Sequence, residues 1–156
     1  MVEIKFKRIN NCNYTPSKAT LGSSGFDVQA NITEPVTIKK LSRAKIPTGL
    51  VLEIPYGWEA QIRPRSGLAA KHGITLTNCV GTIDSDYRGE LIILLINLGD
   101  EDYVIEPGER IAQLVIQSVP EVKFIDSESL NEDTQRADRG FGSTGKTENL
   151  HLNAKV

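Results

Sequence analysis

The chain has 156 residues, 18 of them Lys or Arg and 20 Asp or Glu, which leaves a formal net charge of -2 at pH 7. That near balance provides no electrostatic footprint for a nucleic-acid polymer, although a few placed arginines can still hold a small anion. No apolar run approaches bilayer length, and the length suits one domain that buries its core without staples.

The start, Met1-Val2-Glu3-Ile4-Lys5-Phe6-Lys7, has no apolar signal-peptide core, so a soluble cytoplasmic protein is expected. Cys12 and Cys79 lack metal-type spacing and read as buried or half-buried thiols in a reducing cytosol. Ser23-Ser24-Gly25-Phe26-Asp27 puts a carboxylate beside a glycine at a strand start; alone it reads as an Asx-type turn. Ile46-Pro47-Thr48-Gly49 and Ile54-Pro55-Tyr56-Gly57 are turn signals. Between them Leu50, Leu52 and Ile54 alternate. Beyond them Trp58, Ala60 and Ile62 point one way and Glu59, Gln61 and Arg63 the other, the period of a half-buried strand.

Arg63-Pro64-Arg65-Ser66-Gly67 leads into one short helix, with Ser66 as N-cap, Gly67–Lys71 as body and Gly73 as the stop. A helix start with free N–H groups and arginines makes an anion cradle; a plain capped turn fits the same residues. His72 reads as a helix-end residue, and neither it nor His151 has a partner at metal spacing. Residues 78–90, Asn78-Cys79-Val80-Gly81-Thr82-Ile83-Asp84-Ser85-Asp86-Tyr87-Arg88-Gly89-Glu90, read as a hairpin with a polar tip. Its amide can read a base edge in both hydrogen-bond senses, its ring can pack on a sugar, and a carboxylate can deprotonate a water. Asp84 follows Ile83, which predicts partial burial and a pKa moved towards that of a useful base.

Leu91–Ile96 is a continuous apolar run, expected to be a strand covered on both faces. Glu106-Pro107-Gly108 is a further turn, and Ile111–Ile116 a strand interrupted by Gln113, whose amide bonds either core backbone or a ligand. Short strands with closely spaced Gly and Pro predict an all-β sandwich or barrel. From Asp126 to Asn149 the only large apolar residues are Leu130 and Phe141, so the segment cannot bury enough to fold alone. Its Gly140-Phe141-Gly142-Ser143-Thr144-Gly145 lacks the Lys-Ser/Thr of a P-loop and suits either a flexible linker or an arm that orders around phosphates with Phe141 on a base.

Together these segments resemble the trimeric deoxyuridine triphosphate nucleotidohydrolases (dUTPases). Five motifs stand in the family's order: Ser24–Ala30, Arg65–Ala69, Gly81–Glu90, Gly108–Leu114 and Arg136–Gly145. The resemblance implies a jelly-roll-like β-sandwich or barrel with one short helix and a flexible C-terminal arm. The catalytic core would be residues 1–125, and residues 126–156 an arm with a Gly-rich lid. It implies a homotrimer whose three sites are each shared by all three chains, and hydrolysis of dUTP to dUMP and pyrophosphate with Mg²⁺. That reaction keeps uracil out of DNA and supplies dUMP for thymidylate synthesis.

By the same resemblance Asp84 activates the water that attacks the α-phosphorus. Asn78 reads uracil together with backbone groups of Gly81, Thr82 and Ile83, and Tyr87 packs on the deoxyribose and excludes a 2′-hydroxyl. Arg65, Ser66, Gly67 and Gln113 hold the phosphates, and Asp27 touches Mg²⁺ through water. Arg136, Phe141, Gly142, Ser143 and Thr144 close the site. Two positions depart from the pattern: Ala137 stands where glycine is usual, and Ser24 where alanine is common. Leu150, Leu152 and Val156, past the last motif, suggest that the final residues dock on a neighbour. A deoxycytidine triphosphate deaminase on the same fold and a nucleotide-gated binding protein are the rival readings; the Gly-x-x-Asp-x-Asp-Tyr pattern and the complete tail motif favour the uracil enzyme.

Overall fold

The computed structural model describes residues 1–135 and 137–139. Its elements in chain order are β1 Lys5–Arg8, β2 Phe26–Gln29, β3 Val36–Ile38, β4 Arg43–Glu53, β5 Trp58–Arg63, α1 Ser66–His72, β6 Ile74–Leu76, β7 Gly81–Ile83, β8 Glu90–Asn97, β9 Tyr103–Ile105 and β10 Arg110–Ser118. Two four-stranded antiparallel sheets, β1-β4-β8-β6 and β2-β10-β5-β7, make the two layers, with β3-β9 as a small third sheet. The result is an all-β body with one short helix, as the strand pattern predicts, and jelly-roll-like, as the family resemblance implies.

Alternation along β5 and β8, with adjacent buried pairs in β10, builds the core. Ala60 and Ile62 of β5, Leu91, Ile93 and Leu95 of β8, and Ile111, Ala112, Leu114 and Val115 of β10 are all buried. Each fully buried Leu or Ile contributes about 1.5–3 kcal/mol relative to exposure. Strand β8 departs from expectation: Leu91, Ile93 and Leu95 are buried, whereas Ile92, Leu94 and Ile96 are only half-buried. In a single chain this apolar run is covered on one face. At its end the buried Asn97 is fully bonded, donating to the carbonyls of Ile38 (2.9 Å) and Glu101 (2.8 Å) and accepting from Gly99 N–H (2.9 Å).

Three local readings change. Ile46-Pro47-Thr48-Gly49 is not a turn between strands but lies inside β4, where the pairing with β8 shifts register between Pro47 and Val51. The Thr48 hydroxyl, fully buried, holds this irregularity by donating to Leu91 O at 2.7 Å. Ser66 is the first residue of α1 rather than its cap; Arg65 takes the N-cap position with no side-chain cap bond. The helix does end at Gly73, which adopts φ 68 and returns its N–H to Ala69 O. A Cβ there would meet the Gly99 backbone 2.3 Å away, so glycine is needed twice over.

Residues 78–90 are not a hairpin either. Strand β7 pairs with β5, and β8 pairs with β4 and β6, so the polar segment Asp84–Gly89 carries the chain from one sheet to the other. The structure divides into a unit Met1–Glu121 and a second unit beginning at Val122, four residues before the boundary expected from composition. No helix among the described residues is long and apolar enough to cross a membrane.

Candidate active site

Strand pairing brings three distant segments into one row. In β10, Gln113 stands opposite Asp27 of β2 on one side and Arg63 of β5 on the other. Asp27 therefore faces the strand-to-helix junction that carries Arg65. Its Oδ2 accepts from Arg110 at 3.0 Å, and its Oδ1 lies 3.7 Å from Arg65 Nε. Arg65 in turn donates to the Arg110 carbonyl at 2.6 Å. One carboxylate thus holds two guanidiniums in place and leaves one net positive charge, the balance an anion site needs.

The Gln113 amide is part-buried and donates to Pro64 O at 3.0 Å. It sits hard against Gly25, where a Cβ would come within 2.5 Å of Gln113 Oε1. Ser66 and Gly67 are exposed at the start of α1 beside this cluster. A Cβ on Gly67 would meet nothing within 4 Å, so this chain's own packing does not require glycine there. Behind the row, Glu109 orders the turn that feeds β10: Oε2 accepts from Glu106 N–H (3.0 Å) and Oε1 from Tyr103 (2.7 Å). Burial first, and then the bond to the Glu109 carboxylate, push the Tyr103 phenol up to about 12.

The segment 78–90 lies at the other edge of the same sheet. Gly81 and Thr82 pair with Ile62 and Gln61, and the Asn78 amide packs on Gly81, 3.2 Å from where a Cβ would be. Asp84 begins a tight turn closed by Tyr87 N–H to Asp84 O at 3.2 Å. Arg88 donates from one nitrogen to the carbonyls of Ser85 (2.7 Å) and Tyr87 (2.9 Å). The Tyr87 hydroxyl donates to Glu90 O at 3.1 Å. Glu90 anchors the far end of the segment by accepting from Gly49 N–H at 2.8 Å.

Asp84 and Asp86 are both exposed, contrary to the partial burial expected for Asp84, because β7 is an edge strand that ends one residue earlier. Asp84 borders a cavity of about 200 Å³ that it shares with Trp58, Glu59 and Val119. Cys79 is also exposed, whereas Cys12 is buried.

The structure therefore unites Asp27, Arg65 and Gln113, sets Asn78, Gly81, Thr82, Ile83, Asp84 and Tyr87 along one segment, and keeps these two groups apart. Three strand spacings and four residues along the strand separate Asp27 from Asp84, roughly 20 Å. Arg136, Phe141, Gly142, Ser143 and Thr144 lie outside the described residues, as does the Leu150–Val156 extension. Two residues that the motifs include but to which the sequence assigns no role emerge from the folding: Arg110, in the fourth motif, which bonds Asp27, and Gly25, in the first, which admits the Gln113 amide.

Among the described residues no group of three or more His, Cys, Asp or Glu side chains is placed to hold a metal ion. A protein-only metal cage is thus absent from the described part, and Asp27 spends its oxygens on arginines. One carboxylate near a phosphate cradle does fit Mg²⁺, which keeps its waters and binds mainly through substrate phosphates.

Known proteins resemble this chain along most of its length. The family model described as dUTPase matches residues 13–145. The deoxyuridine 5'-triphosphate nucleotidohydrolase of Fusobacterium nucleatum is 53% identical over 131 residues, 84% of this chain and 89% of that protein. That of Finegoldia magna is 52% identical over 143 residues, 91% of this chain and 99% of that protein. The fold matches a Staphylococcus bacteriophage 80alpha dUTPase variant solved with dUpNHpp at a TM-score of 0.83 and 24% identity, covering 92% of this chain and 99% of that one. A family model matched across residues 13–145 and relatives more than half identical along most of the chain lead to one conclusion: the chain belongs to the dUTPase family.

Proposed function

We propose that this dUTP diphosphatase hydrolyses dUTP to dUMP and pyrophosphate in sites shared between copies of the chain, with Asp84 of one copy acting on a nucleotide held by the cradle of another. The observation that carries this reading is the separation of roughly 20 Å between Asp84 and Asp27 within one chain. A general base must stand within hydrogen-bond reach of its water, and the water within reach of the phosphorus. One chain alone cannot bring Asp84 to phosphates lying on Arg65 and Gln113. A closed ring of three copies, as the family resemblance implies, solves this by bringing the Asp84 segment of one copy to the cradle of another.

In that site Arg65, the N–H groups of Ser66 and Gly67, and Gln113 hold the phosphates. Asp27 keeps Arg65 and Arg110 oriented. Asn78 reads the uracil edge with the backbone of Gly81, Thr82 and Ile83, and Tyr87 lies under the deoxyribose. Asp84 orients the attacking water and takes its proton as the α-phosphorus bond forms and pyrophosphate leaves. Mg²⁺, carried by the phosphates with Asp27 reached through water, would neutralise charge on them when bound. Arg136, Phe141, Gly142, Ser143 and Thr144 of the arm, residues 126–156, would close over the nucleotide and exclude bulk water. The cytoplasm, reducing enough for two free thiols, is the compartment this reading assigns.

The test is pyrophosphate release from dUTP with Mg²⁺, run beside dTTP, dCTP and UTP. Release from dUTP alone supports the base pocket and sugar gate together; deamination of dCTP would overturn the uracil reading. Asp84→Asn should retain dUTP binding and lose on the order of 10²-fold or more in kcat. Unchanged turnover would remove Asp84 from the base role.

A further inference from the structure

The Tyr87 ring lies over the backbone of the second residue after it. A Cβ built on Gly89 would stand 2.3 Å from the Tyr87 hydroxyl oxygen, 2.5 Å from Cζ and 2.9 Å from Cε2. The ring is thus folded back onto its own loop, against bare main chain. Its hydroxyl is tied to Glu90 O, its N–H to Asp84 O, and its own carbonyl, with that of Ser85, to Arg88. Tyr87 is nonetheless 45% exposed, so one face of the ring is open to whatever lies on it.

We infer that Gly89 and Arg88 determine sugar specificity by fixing where the Tyr87 ring sits: Gly89 as the floor the ring rests on, and Arg88 as the clasp that sets the turn from which it projects. The inference rests on the reading of Tyr87 as the group that packs on the deoxyribose. Discrimination against a single 2′-hydroxyl by steric exclusion needs a surface that does not yield, and an exposed tyrosine on a loop is ordinarily free to swing. Here the floor, the hydroxyl tether and the two-carbonyl clasp remove that freedom.

The steric conflict at Gly89 separates specificity from folding. Any side chain there meets the far end of an exposed tyrosine, not the core. The ring can yield outward by about 1 Å or more to reach ordinary carbon contact of about 3.5 Å, and the rest of the loop keeps its bonds. A Gly89 substitution should therefore leave the fold intact and move the gate. A displacement of about 1 Å at a positioned group can alter a rate on the order of 10²-fold.

The experiment measures kcat/KM for dUTP and for UTP, with Mg²⁺, in wild type, Gly89→Ala, Arg88→Met and Tyr87→Ala. The dUTP:UTP ratio is the readout, since partial unfolding lowers both values equally and leaves it unchanged. The expected result is a ratio lowered about tenfold or more in Gly89→Ala and in Arg88→Met, approaching that of Tyr87→Ala. Arg88→Lys, which keeps a donor for one carbonyl, should recover part of it. If Tyr87→Ala lowers the ratio and Gly89→Ala does not, the floor is overturned while the gate stands. If Tyr87→Ala leaves the ratio unchanged, the gate itself is wrong and the inference falls with it.

Discussion

Gly25→Ala tests the packing beneath the phosphate cradle. The new Cβ would lie 2.5 Å from Gln113 Oε1, 3.1 Å from Gln113 Cβ and 3.3 Å from Gln113 Cδ. The amide can rotate away from the first contact but then releases its 3.0 Å bond to Pro64 O, a loss of about 0.5–1.5 kcal/mol. An off-rotamer side chain adds about 0.5–1.5 kcal/mol. The Cβ contact is set by the β10 backbone, and a shift of a few tenths of an ångström relieves it. The sum is about 1–3 kcal/mol of lost stability, read by urea denaturation, together with a raised KM for dUTP because the amide no longer lies in the row with Asp27 and Arg63. The control is the same substitution in a Gln113→Ala background, where only the Cβ contact remains and the cost should fall below about 1 kcal/mol. An equal cost in both backgrounds would refute the steric reasoning.

Two further outcomes follow from the geometry. A double-mutant cycle on Asp27→Asn and Arg110→Met should give a coupling of about 1 kcal/mol, a value held down by the half-exposed arginine; additivity within about 0.3 kcal/mol would show that the two side chains do not support each other. Burial pushes the Tyr14 phenol, whose hydroxyl donates to Gln29 O, up to about 12 from 10.0. The unfolded chain releases this proton first, so the stabilisation is complete below pH 10 and is lost as pH climbs through about 12. After discounting for solvent screening the loss is about 1–2 kcal/mol. Tyr14→Phe should flatten the stability curve between those values, and a curve of unchanged slope would contradict the assignment.

Alternation made β5 legible, the apolar run interrupted by Gln113 made β10 legible, and the glycine stop of α1 stands where the sequence places it. The short strands β3 and β9 were not readable, since three residues carry too little period to tell a strand from a loop. Pro47 misled for a different reason. A Pro-x-Gly stretch usually marks a turn, but here it sits in a strand irregularity held by the Thr48 hydroxyl, a tertiary contact that no local pattern encodes. Residues 78–90 read as a hairpin because a strand's partner is not written in its own residues. The five motifs name the candidate members of the site. Which of them meet within one chain depended on strand pairing, and so did the parts played by Gly25 and Arg110.

The sharing of sites between copies can be tested by mixing two defective chains. Asp84→Asn spoils only the water-activating segment, and Arg65→Met paired with Gln113→Ala spoils only the cradle. Each should be inactive alone. Unfolded together at equal concentration and refolded, they should recover roughly a quarter of wild-type kcat, because one site in about four then draws an intact segment and an intact cradle from adjacent copies of a cyclic assembly. A mixture as inactive as its components would place the whole site within one chain and contradict the account.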